Sequence, residues 1–243
     1  SEHNAHHAYT LRPHADPQFT YFPLWLQSVK EIPCWQAELP QRGALRHWIW
    51  FGVKALVRVQ HLTFLPIVLA IGRYNFLAIS WVFAIKQRAW RDVLAMALHA
   101  LWFAALLGYL LPSTSVRLQF VALHYALVGV LHVQLLLSHL CTHQFTAEEE
   151  KTLGVFEFQL LTTRNISSVW WTHWFHGGLE MQIEHHLFPQ LPRHALHDVA
   201  PRVRAIADKH GVKYVELPCF EALRVCLLDL SSLAQLLTGV DLV

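Results

Sequence analysis

The sequence predicts an all-α membrane protein, built from transmembrane helical hairpins and interfacial helices with a cytosolic, histidine-rich cap. Three observations support this prediction. Hydrophobic residues make up 54% of the 243 residues and charged residues only 15%, against about 25% charged in ordinary soluble domains. Two apolar stretches are long enough to cross a bilayer. The chain also has 18 histidines and 17 acidic residues, and its net charge of +2 gives no reason to expect nucleic acid as a partner.

The chain opens with histidines at helical spacing, in "SEHNAHH". His3, His6 and His7 stand at positions i, i+3 and i+4, which share one face of a helix. Three imidazoles could therefore converge on one point. This pattern alone does not separate a metal site from a chance cluster, so it needs partners elsewhere in the chain.

The two longest apolar stretches run from Val93 to Leu111 and from Leu118 to Leu137. A membrane-spanning helix needs about 20 mostly apolar residues, and both stretches meet this requirement. The short segment between them, "PSTSVR", begins with Pro112 and predicts a turn. The two stretches are therefore predicted to form a hairpin that crosses the bilayer and returns.

An earlier apolar stretch, from His61 to Ile85, is interrupted by Gly72, Arg73, Tyr74 and Asn75. Each half has roughly ten or eleven residues, which is short for a full span. We expect a re-entrant or interfacial helical pair, with a second full hairpin as the alternative. In either case the chain would return to the side that it left.

Basic residues predict the orientation. The segment "KQRAWR" (Lys86 to Arg91) precedes the first span, whereas the turn between the spans holds only one cation, Arg117. Four further cations precede the earlier apolar stretch: Arg42, Arg46, Lys54 and Arg58. Because cytosolic loops carry the excess of Lys and Arg, the basic side is predicted to be cytosolic. An even number of crossings then leaves both termini in the cytosol.

The rest of the chain is predicted to face water. In "HALHDVAPRVRAIADKHG", apolar residues recur at helical spacing and Gly211 predicts the helix end. The segment "EALRVCLLDLSSLAQLL" is amphipathic and contains Asp229, which favours a docking or surface helix over a short span. The four cysteines form no CxxC pair, which excludes zinc-finger and thioredoxin-like sites.

Two further histidine groups follow the hairpin on the predicted cytosolic side. His139 and His143 stand at i, i+4 in "SHLCTH", and His185 and His186 lie in "MQIEHHLFP". Gln182 precedes His185 by three residues and so repeats the spacing of the opening group. Three groups with helix-face spacing on one side of a membrane indicate a metal site.

The composition of these groups favours two irons. Imidazole suits Zn, Cu and Fe, but six or seven histidines are too many for a single metal ion. The HExxH pattern of metalloproteases is absent, and no cysteine cluster suggests an iron–sulfur site. Two irons held mainly by histidine fit best, and such a centre with O₂ supplies an oxidant for an unactivated C–H bond.

Most other histidines are predicted to have structural roles. His99, His124 and His132 lie within apolar stretches, where an ionisable residue is also a functional candidate. We expect packing roles for them, with His132 as the strongest candidate for more because it precedes His139 by seven residues. The remaining histidines are predicted at the surface or in a Trp-rich interface belt: His47, His194, His197, His210, His173 and His176.

These residues resemble the membrane fatty-acid desaturases. "HNAHH" is similar to their second histidine box and "QIEHHLFP" to their third. Gln182 in place of a third-box histidine is typical of the front-end group, which inserts a double bond between an existing one and the carboxyl end or acts on sphingoid bases. The similarity is strongest from "WFHGGLEMQIEHHLFPQLPRH" through "KHGVKY" and extends more weakly over the whole chain, including the spans and "TTRN".

The resemblance implies a fold, cofactors and partners. It implies two Fe ions, O₂, electrons from cytochrome b5 and its reductase, and a membrane-bound acyl substrate carried as acyl-CoA, phospholipid or sphingolipid. It places the protein in the endoplasmic reticulum membrane. The implied ligands are His3, His6, His7, His143, His185 and His186, with His139 as a further ligand or supporting group and Gln182 at a ligand position. Asp16 and Glu184 could orient the ligand imidazoles by hydrogen bonds, without binding the metal themselves.

The chain also departs from the family pattern. The first histidine box, H-D-x-x-H or similar, and the H-P-G-G haem motif of a fused cytochrome are not found, and Leu11 stands where the family often has Asn. We therefore expect residues 1–243 to form a single desaturase domain that is N-terminally incomplete and inactive alone. A front-end lipid desaturase is the leading interpretation. The alternatives are a lipid hydroxylase on the same scaffold and a truncated, non-catalytic paralogue.

Overall fold

A computed structural model describes residues 2–13, 15–16, 21–41 and 43–239. Arg42, one of the cations used above for orientation, lies outside the described residues. Helices dominate the described part of the chain, which confirms the predicted all-α class. Its elements, in chain order, are α1 (Glu2–Ala8), a 3₁₀ turn (Val29–Glu31), α2 (Ile32–Ala37), α3 (Ala44–Arg58), α4 (Gln60–Lys86), α5 (Trp90–Leu110), α6 (Thr114–Leu137), α7 (Ala147–Glu150), α8 (Val155–Thr162), β1 (Asn165–Ser167), α9 (Trp170–His176), α10 (Gln182–Leu187), α11 (Arg193–His210), β2 (Glu216–Pro218) and α12 (Cys219–Thr238).

The chain forms two compact units. The first comprises Ser1–Phe64 together with Gln134–Val243, and the second comprises Leu65–Val133. The second unit contains most of α4, all of α5 and most of α6, whereas the first contains every predicted metal-site residue. The predicted membrane spans and the predicted metal-site residues therefore belong largely to different units.

The predicted transmembrane hairpin is confirmed. Helices α5 and α6 have 21 and 24 residues, and both are long and apolar enough to cross a membrane. Arg117 closes the turn between them, because its guanidinium donates to the carbonyls of Gly108 at 3.0 Å and Leu111 at 2.9 Å. The last carbonyls of a helix have no partner within the helix, so this contact caps the C-terminus of α5.

The predicted break in the earlier apolar stretch is wrong. The backbone from Gln60 to Lys86 forms one helix of 27 residues, which contains Pro66. The chain bends before this helix instead, by 85° between Ala44–Arg58 and Gln60–Gly72. Glycine in a helix costs about 1 kcal/mol relative to alanine but does not by itself end the helix.

Two glycines in the second unit provide space for close packing. A Cβ atom added at Gly72 would lie 2.7 Å from Cδ2 of His132. A Cβ atom added at Gly129 would lie 2.6 Å from the carbonyl oxygen of Leu69. Both separations are too short for non-bonded atoms, so a side chain at either position would push α4 and α6 apart. Gly72 is therefore a point of close approach and not a helix breaker.

In the first unit, α12 is a docking helix, as the sequence predicts. Ala234 and Leu237 of α12 join a buried cluster with Trp50, Val53 and Val57 of α3. Further buried residues of α12 recur at four-residue spacing: Ala222, Cys226 and Leu230. A helix that buries one face in this way is stabilised by packing against its neighbours.

A second buried cluster in the first unit holds α10 in place. Ile183 of α10 packs with Leu160 of α8 and with Val203 and Ala207 of α11. Helix α11 ends at Gly211, as predicted, with the glycine in a left-handed conformation at φ 67°. The chain then returns as β2, which pairs in parallel with β1. Helix α10, which carries two of the histidines, is thus held between α8 and α11 by the contacts of Ile183.

Candidate metal centre

The opening histidines lie on α1, but the helix does not direct all of them to one point. At about 100° per residue, His3 and His7 project about 40° apart, while His6 projects about 60° away on the other side of His3. The same geometry separates His185 from His186 on α10. Each of these short helices therefore contributes imidazoles to two neighbouring clusters.

The first cluster, here called the outer triad, consists of His3, His7 and His185. The Nε2 atom of His3 lies 3.1 Å from Nε2 of His7 and 3.2 Å from Nε2 of His185. Two imidazole nitrogens bound to one metal at about 2.1 Å, and about 90–110° apart, would be about 3.0–3.4 Å from each other. The spacing in the outer triad is that of ligands to a single ion.

The second cluster, here called the inner triad, consists of His6, His139 and His186, all of them buried. The ring centroids of His139 and His186 are 4.8 Å apart, and each lies 5.0 Å from the centroid of His6. The two triads adjoin, because the rings of His7 and His186 are separated by 4.2 Å. The arrangement is therefore a pair of neighbouring sites.

Asp16 fixes the orientation of the His6 ring. Its Oδ2 atom lies 2.7 Å from Nδ1 of His6 and also accepts a hydrogen bond from the backbone N–H of Leu11 at 2.8 Å. Because a carboxylate at this distance holds the proton on Nδ1, the lone pair is left on Nε2, which belongs to the inner triad. This carboxylate–histidine contact is typical of metal sites.

Gln159 fixes the orientation of the His186 ring in the same way. Its Oε1 atom lies 3.0 Å from Nδ1 of His186, while its Nε2 atom donates to the carbonyl of His7 at 2.7 Å. The second bond fixes which end of the amide is oxygen, so Nδ1 of His186 carries the proton. Nε2 of His186 is buried and has no hydrogen-bond partner in the described chain. A buried, unpaired nitrogen of this kind is the expected ligand atom.

Burial keeps four of the clustered imidazoles neutral. The pKa of His7 falls to about 3 and that of His185 to about 4, mainly because burial disfavours the charged ring and secondarily because neighbouring imidazoles repel it. Burial also lowers the pKa of His139 and His186 far below the ordinary value. Neutral imidazole is the form that binds metal ions. The donor sets of both triads thus fit metal ions that accept nitrogen ligands, including iron.

Gln182 lies beside the inner triad. It is buried on α10, its Nε2 atom donates to the carbonyl of Leu179 at 2.8 Å, and its side chain is hydrogen-bonded to His139. The structure therefore brings this residue next to the histidines, at one turn of helix before His185 and His186. The side chain of Gln182, and not its backbone, makes the contact with His139.

The structure gives Glu184 a different place from the one expected. Its buried carboxylate accepts hydrogen bonds from Asn165 Nδ2 at 2.7 Å and from the Tyr214 hydroxyl at 2.9 Å, and it has no hydrogen bond to an imidazole among the described residues. Asn165 Oδ1 in turn accepts from the backbone N–H of Ile183 at 2.9 Å. Glu184 thus anchors α10 to β1 and to the segment after α11. It supports the histidines through the backbone.

The structure does not bring His143 to either triad. Its side chain is exposed and its ring lies 4.3 Å from that of Phe145. The spacing argument fails here because α6 ends at Leu137 and Cys141 has a left-handed backbone at φ 57°. His139 and His143 are therefore not neighbours on a helix, and of the two only His139 joins a triad.

The other histidines lie mostly where the sequence predicts. His99 and His124 contact aromatic rings of the second unit, and His132 lies against Gly72. The predicted surface histidines are exposed: His47, His194, His197 and His210. His173 pairs with the buried carboxylate of Glu180, outside both triads.

Sequence reasoning missed Gln159, Thr10 and Asn165. Thr10 Oγ1 lies 3.3 Å from Nδ1 of His186 and donates to the carbonyl of His6 at 2.9 Å. The available signal was polarity, because Gln159 is an amide among apolar neighbours in "FQLL". Asn165 ends the segment "TTRN", whose similarity to the family does not indicate a role for this residue.

The departure at Leu11 coincides with an unusual backbone. Leu11 has φ 58°, in the left-handed region that Asn and Gly occupy more readily than Leu. The family's Asn would suit this conformation. The turn is used here to direct the Leu11 N–H towards Asp16, so the conformation serves the inner triad.

Comparison with known proteins identifies the family of this chain. The family model described as fatty acid desaturase matches residues 1–218. The chain is 31% identical over 229 residues to a Delta 8-(E)-sphingolipid desaturase of Kluyveromyces lactis, covering 87% of this chain and 38% of that protein. It is 31% identical over 224 residues to the Delta(8)-fatty-acid desaturase 2 of Arabidopsis thaliana, covering 90% and 49%. It is 31% identical over 216 residues to an acyl-lipid (9-3)-desaturase of Borago officinalis, covering 87% and 47%.

The chain spans less than half the length of these relatives. No solved structure shows significant similarity to it. The family match nevertheless covers both α1 and α10, which carry five of the six triad histidines. The chain belongs to the fatty acid desaturase family.

Proposed function

We propose that this chain forms the di-iron part of a lipid desaturase of the front-end type. The observation that carries the proposal is the pair of adjoining triads, His3–His7–His185 and His6–His139–His186. Each triad offers three imidazoles to one ion, and the contact between His7 and His186 would keep the two ions close. We leave His143 out of this ligand set, because its side chain is exposed and belongs to neither triad.

Two bound irons would supply an O₂-derived oxidant that removes two hydrogens from adjacent carbons of an acyl chain. The chain's own residues hold the ligands for this chemistry. Asp16 and Gln159 keep a proton on Nδ1 of His6 and His186, so that Nε2 is free to bind the metal. The burial of the inner triad excludes water from that ion, which suppresses side reactions.

The names of the relatives support a proposal for the substrate, and the resemblance to the desaturase family supports one for the electron donor. Their names refer to sphingolipid, fatty-acid and acyl-lipid substrates. We therefore propose a membrane-bound acyl or sphingoid chain as substrate, with electrons from cytochrome b5 and its reductase. The proposed location is the endoplasmic reticulum membrane, with the metal centre on the cytosolic side.

The metal centre also constrains membrane topology. Residues from before α4 and from after α6 meet in one site of the first unit, so an even number of crossings must separate them. Helices α5 and α6 supply two crossings. Helix α3 has 15 residues, about 22 Å, and is too short for a crossing. We propose that α4 lies in the bilayer or along its surface without completing a crossing.

Product analysis tests the proposed function. The complete reading frame that includes this chain, expressed in a yeast that lacks the activity, should yield lipids with two hydrogens fewer in one acyl or sphingoid chain. His186→Ala should abolish this product, and exposed His194→Ala should not. A product with one additional oxygen would indicate a hydroxylase on the same scaffold. Unchanged lipids, with the protein inserted and loaded with iron, would overturn the proposal.

A further inference from the structure

Helix α3 carries three distinct stripes along its length. One face is buried: Trp50, Val53 and Val57 are at most 3% exposed and pack in the cluster that contains α12 residues. At about 100° per residue, these three side chains span an arc of about 60°. This face accounts for the attachment of α3 to the first unit and leaves most of the helix circumference outside the core.

The opposite face is apolar and exposed. Leu45, Trp48, Phe51 and Leu56 are 62%, 71%, 64% and 45% exposed, respectively. On the helix they span an arc of about 140°, centred about 160° from the buried arc. A continuous stripe of large apolar side chains is uncommon on a water-facing surface and marks an interaction site.

A basic stripe borders the exposed apolar face. His47, Lys54 and Arg58 fall within an arc of about 40°, next to Phe51. Helix α3 contains no Asp or Glu. An apolar face with Trp, Phe and Leu, flanked by cations and free of acidic residues, is complementary to an anionic bilayer surface: acyl chains meet the apolar side chains and phosphates meet the cations.

We propose that α3 lies in the plane of the membrane interface, with Leu45, Trp48, Phe51 and Leu56 inserted among the acyl chains and Lys54 and Arg58 at anionic phospholipid headgroups. The helix would thereby bind the first unit directly to the bilayer, in addition to the hairpin of α5 and α6. The basic stripe selects an anionic phospholipid surface over an apolar protein groove. This binding does not depend on the metal centre.

Depth measurements distinguish an in-plane helix from other arrangements. The 243-residue chain, with its cysteines replaced by alanine, is reconstituted in vesicles of zwitterionic and anionic phospholipid. Nitroxide labels are placed singly at Leu45→Cys, Trp48→Cys and Leu56→Cys, with Ile206→Cys on exposed α11 as control. An in-plane helix places positions 45 and 56 at similar depth, whereas a helix along the membrane normal would separate them by about 16 Å. The labels on α3 should be accessible to O₂ and protected from a water-soluble nickel chelate.

A charge variant tests the basic stripe. Arg58→Glu should move the label at position 48 towards water in anionic vesicles and have little effect on its depth in zwitterionic vesicles. The control variant Arg202→Glu, on α11, should leave the depth of this label unchanged in both kinds of vesicle. A photo-crosslinking phenylalanine analogue at Phe51, in the chain with its native cysteines, should form adducts with phospholipid. Adducts with protein only, or α3 labels as accessible to the nickel chelate as position 206, would overturn the proposal.

Discussion

Gln159 joins the two helices that carry the histidines. Its Oε1 atom lies 3.0 Å from Nδ1 of His186 on α10, and its Nε2 atom donates to the backbone carbonyl of His7 on α1 at 2.7 Å. One amide thus sets the tautomer of an inner-triad imidazole and the position of the helix that supplies the outer triad. A carboxylate at this position could accept from His186 but could not donate to His7.

This relationship predicts a graded effect of substitution. Gln159→Leu should weaken metal binding by about 10–100-fold, the usual cost of losing a group that orients a ligand. Gln159→Glu should weaken metal binding less than Gln159→Leu does, because the hydrogen bond to His186 is retained. The measurement is iron content per chain against a competing chelator. The control is Gln190→Leu at an exposed position, which should bind iron as the parent does. Equal iron binding by Gln159→Leu and the parent would contradict this role.

His139 and His143 form a matched pair for testing the ligand set. His139 is buried in the inner triad, whereas His143 is exposed beside Phe145. We expect His139→Ala to weaken metal binding by more than about 100-fold, because a lost ligand should cost more than a lost supporting group. His143→Ala should leave metal binding within about twofold of the parent. Isothermal titration with ferrous iron under anaerobic conditions would measure both, and the reverse order would refute the assignment of the inner triad.

Glu31 predicts a pH dependence of stability that is separate from the metal centre. Burial raises its pKa to about 7, although Gln144 Nε2 donates to its Oε1 at 2.6 Å. In the unfolded chain the carboxyl loses its proton near its ordinary pKa of about 4.3. The folded state therefore holds more protons between that value and about 7, and the stability falls as the pH rises through this window.

Glu31→Gln should remove this dependence. We expect the variant to be more stable than the parent at pH 8, by up to about 4 kcal/mol, and similar to it at pH 4. Thermal unfolding in detergent, followed by tryptophan fluorescence, would measure the difference at each pH. Glu148→Gln, at an exposed position, is the control and should follow the parent. A constant difference between Glu31→Gln and the parent at both pH values would contradict the prediction.

The proposed topology predicts the accessibility of four exposed positions. Single cysteines at Glu38, Arg88 and Glu148 should react with an impermeant maleimide added outside sealed microsomes, because all three are proposed to be cytosolic. A cysteine at Ser115, between α5 and α6, should react only after permeabilisation. If α4 crossed the membrane, positions 38 and 148 would lie on opposite sides. That result would separate α1 from His139 by a bilayer and is incompatible with the inner triad.

The amino-acid sequence by itself determined the elements whose physics is local. The lengths of α5 and α6 follow from the number of apolar residues that a bilayer requires. The end of α11 follows from Gly211, which takes a left-handed conformation that other residues adopt at a cost. The histidines of α1 and α10 were identified because helical spacing places i, i+3 and i+4 near one another.

Only the tertiary structure decided which imidazoles belong together. Spacing along one helix cannot show that His3 and His7 join His185 while His6 joins His139 and His186, because that division depends on how α1 and α10 face each other. The choice between His139 and His143 depended on where α6 ends, and Gly72 was a point of contact with His132 and not a break. Contacts between residues far apart in sequence are set by packing, which no local pattern encodes. Such packing brings Gln159 to His186 and Asn165 to Glu184.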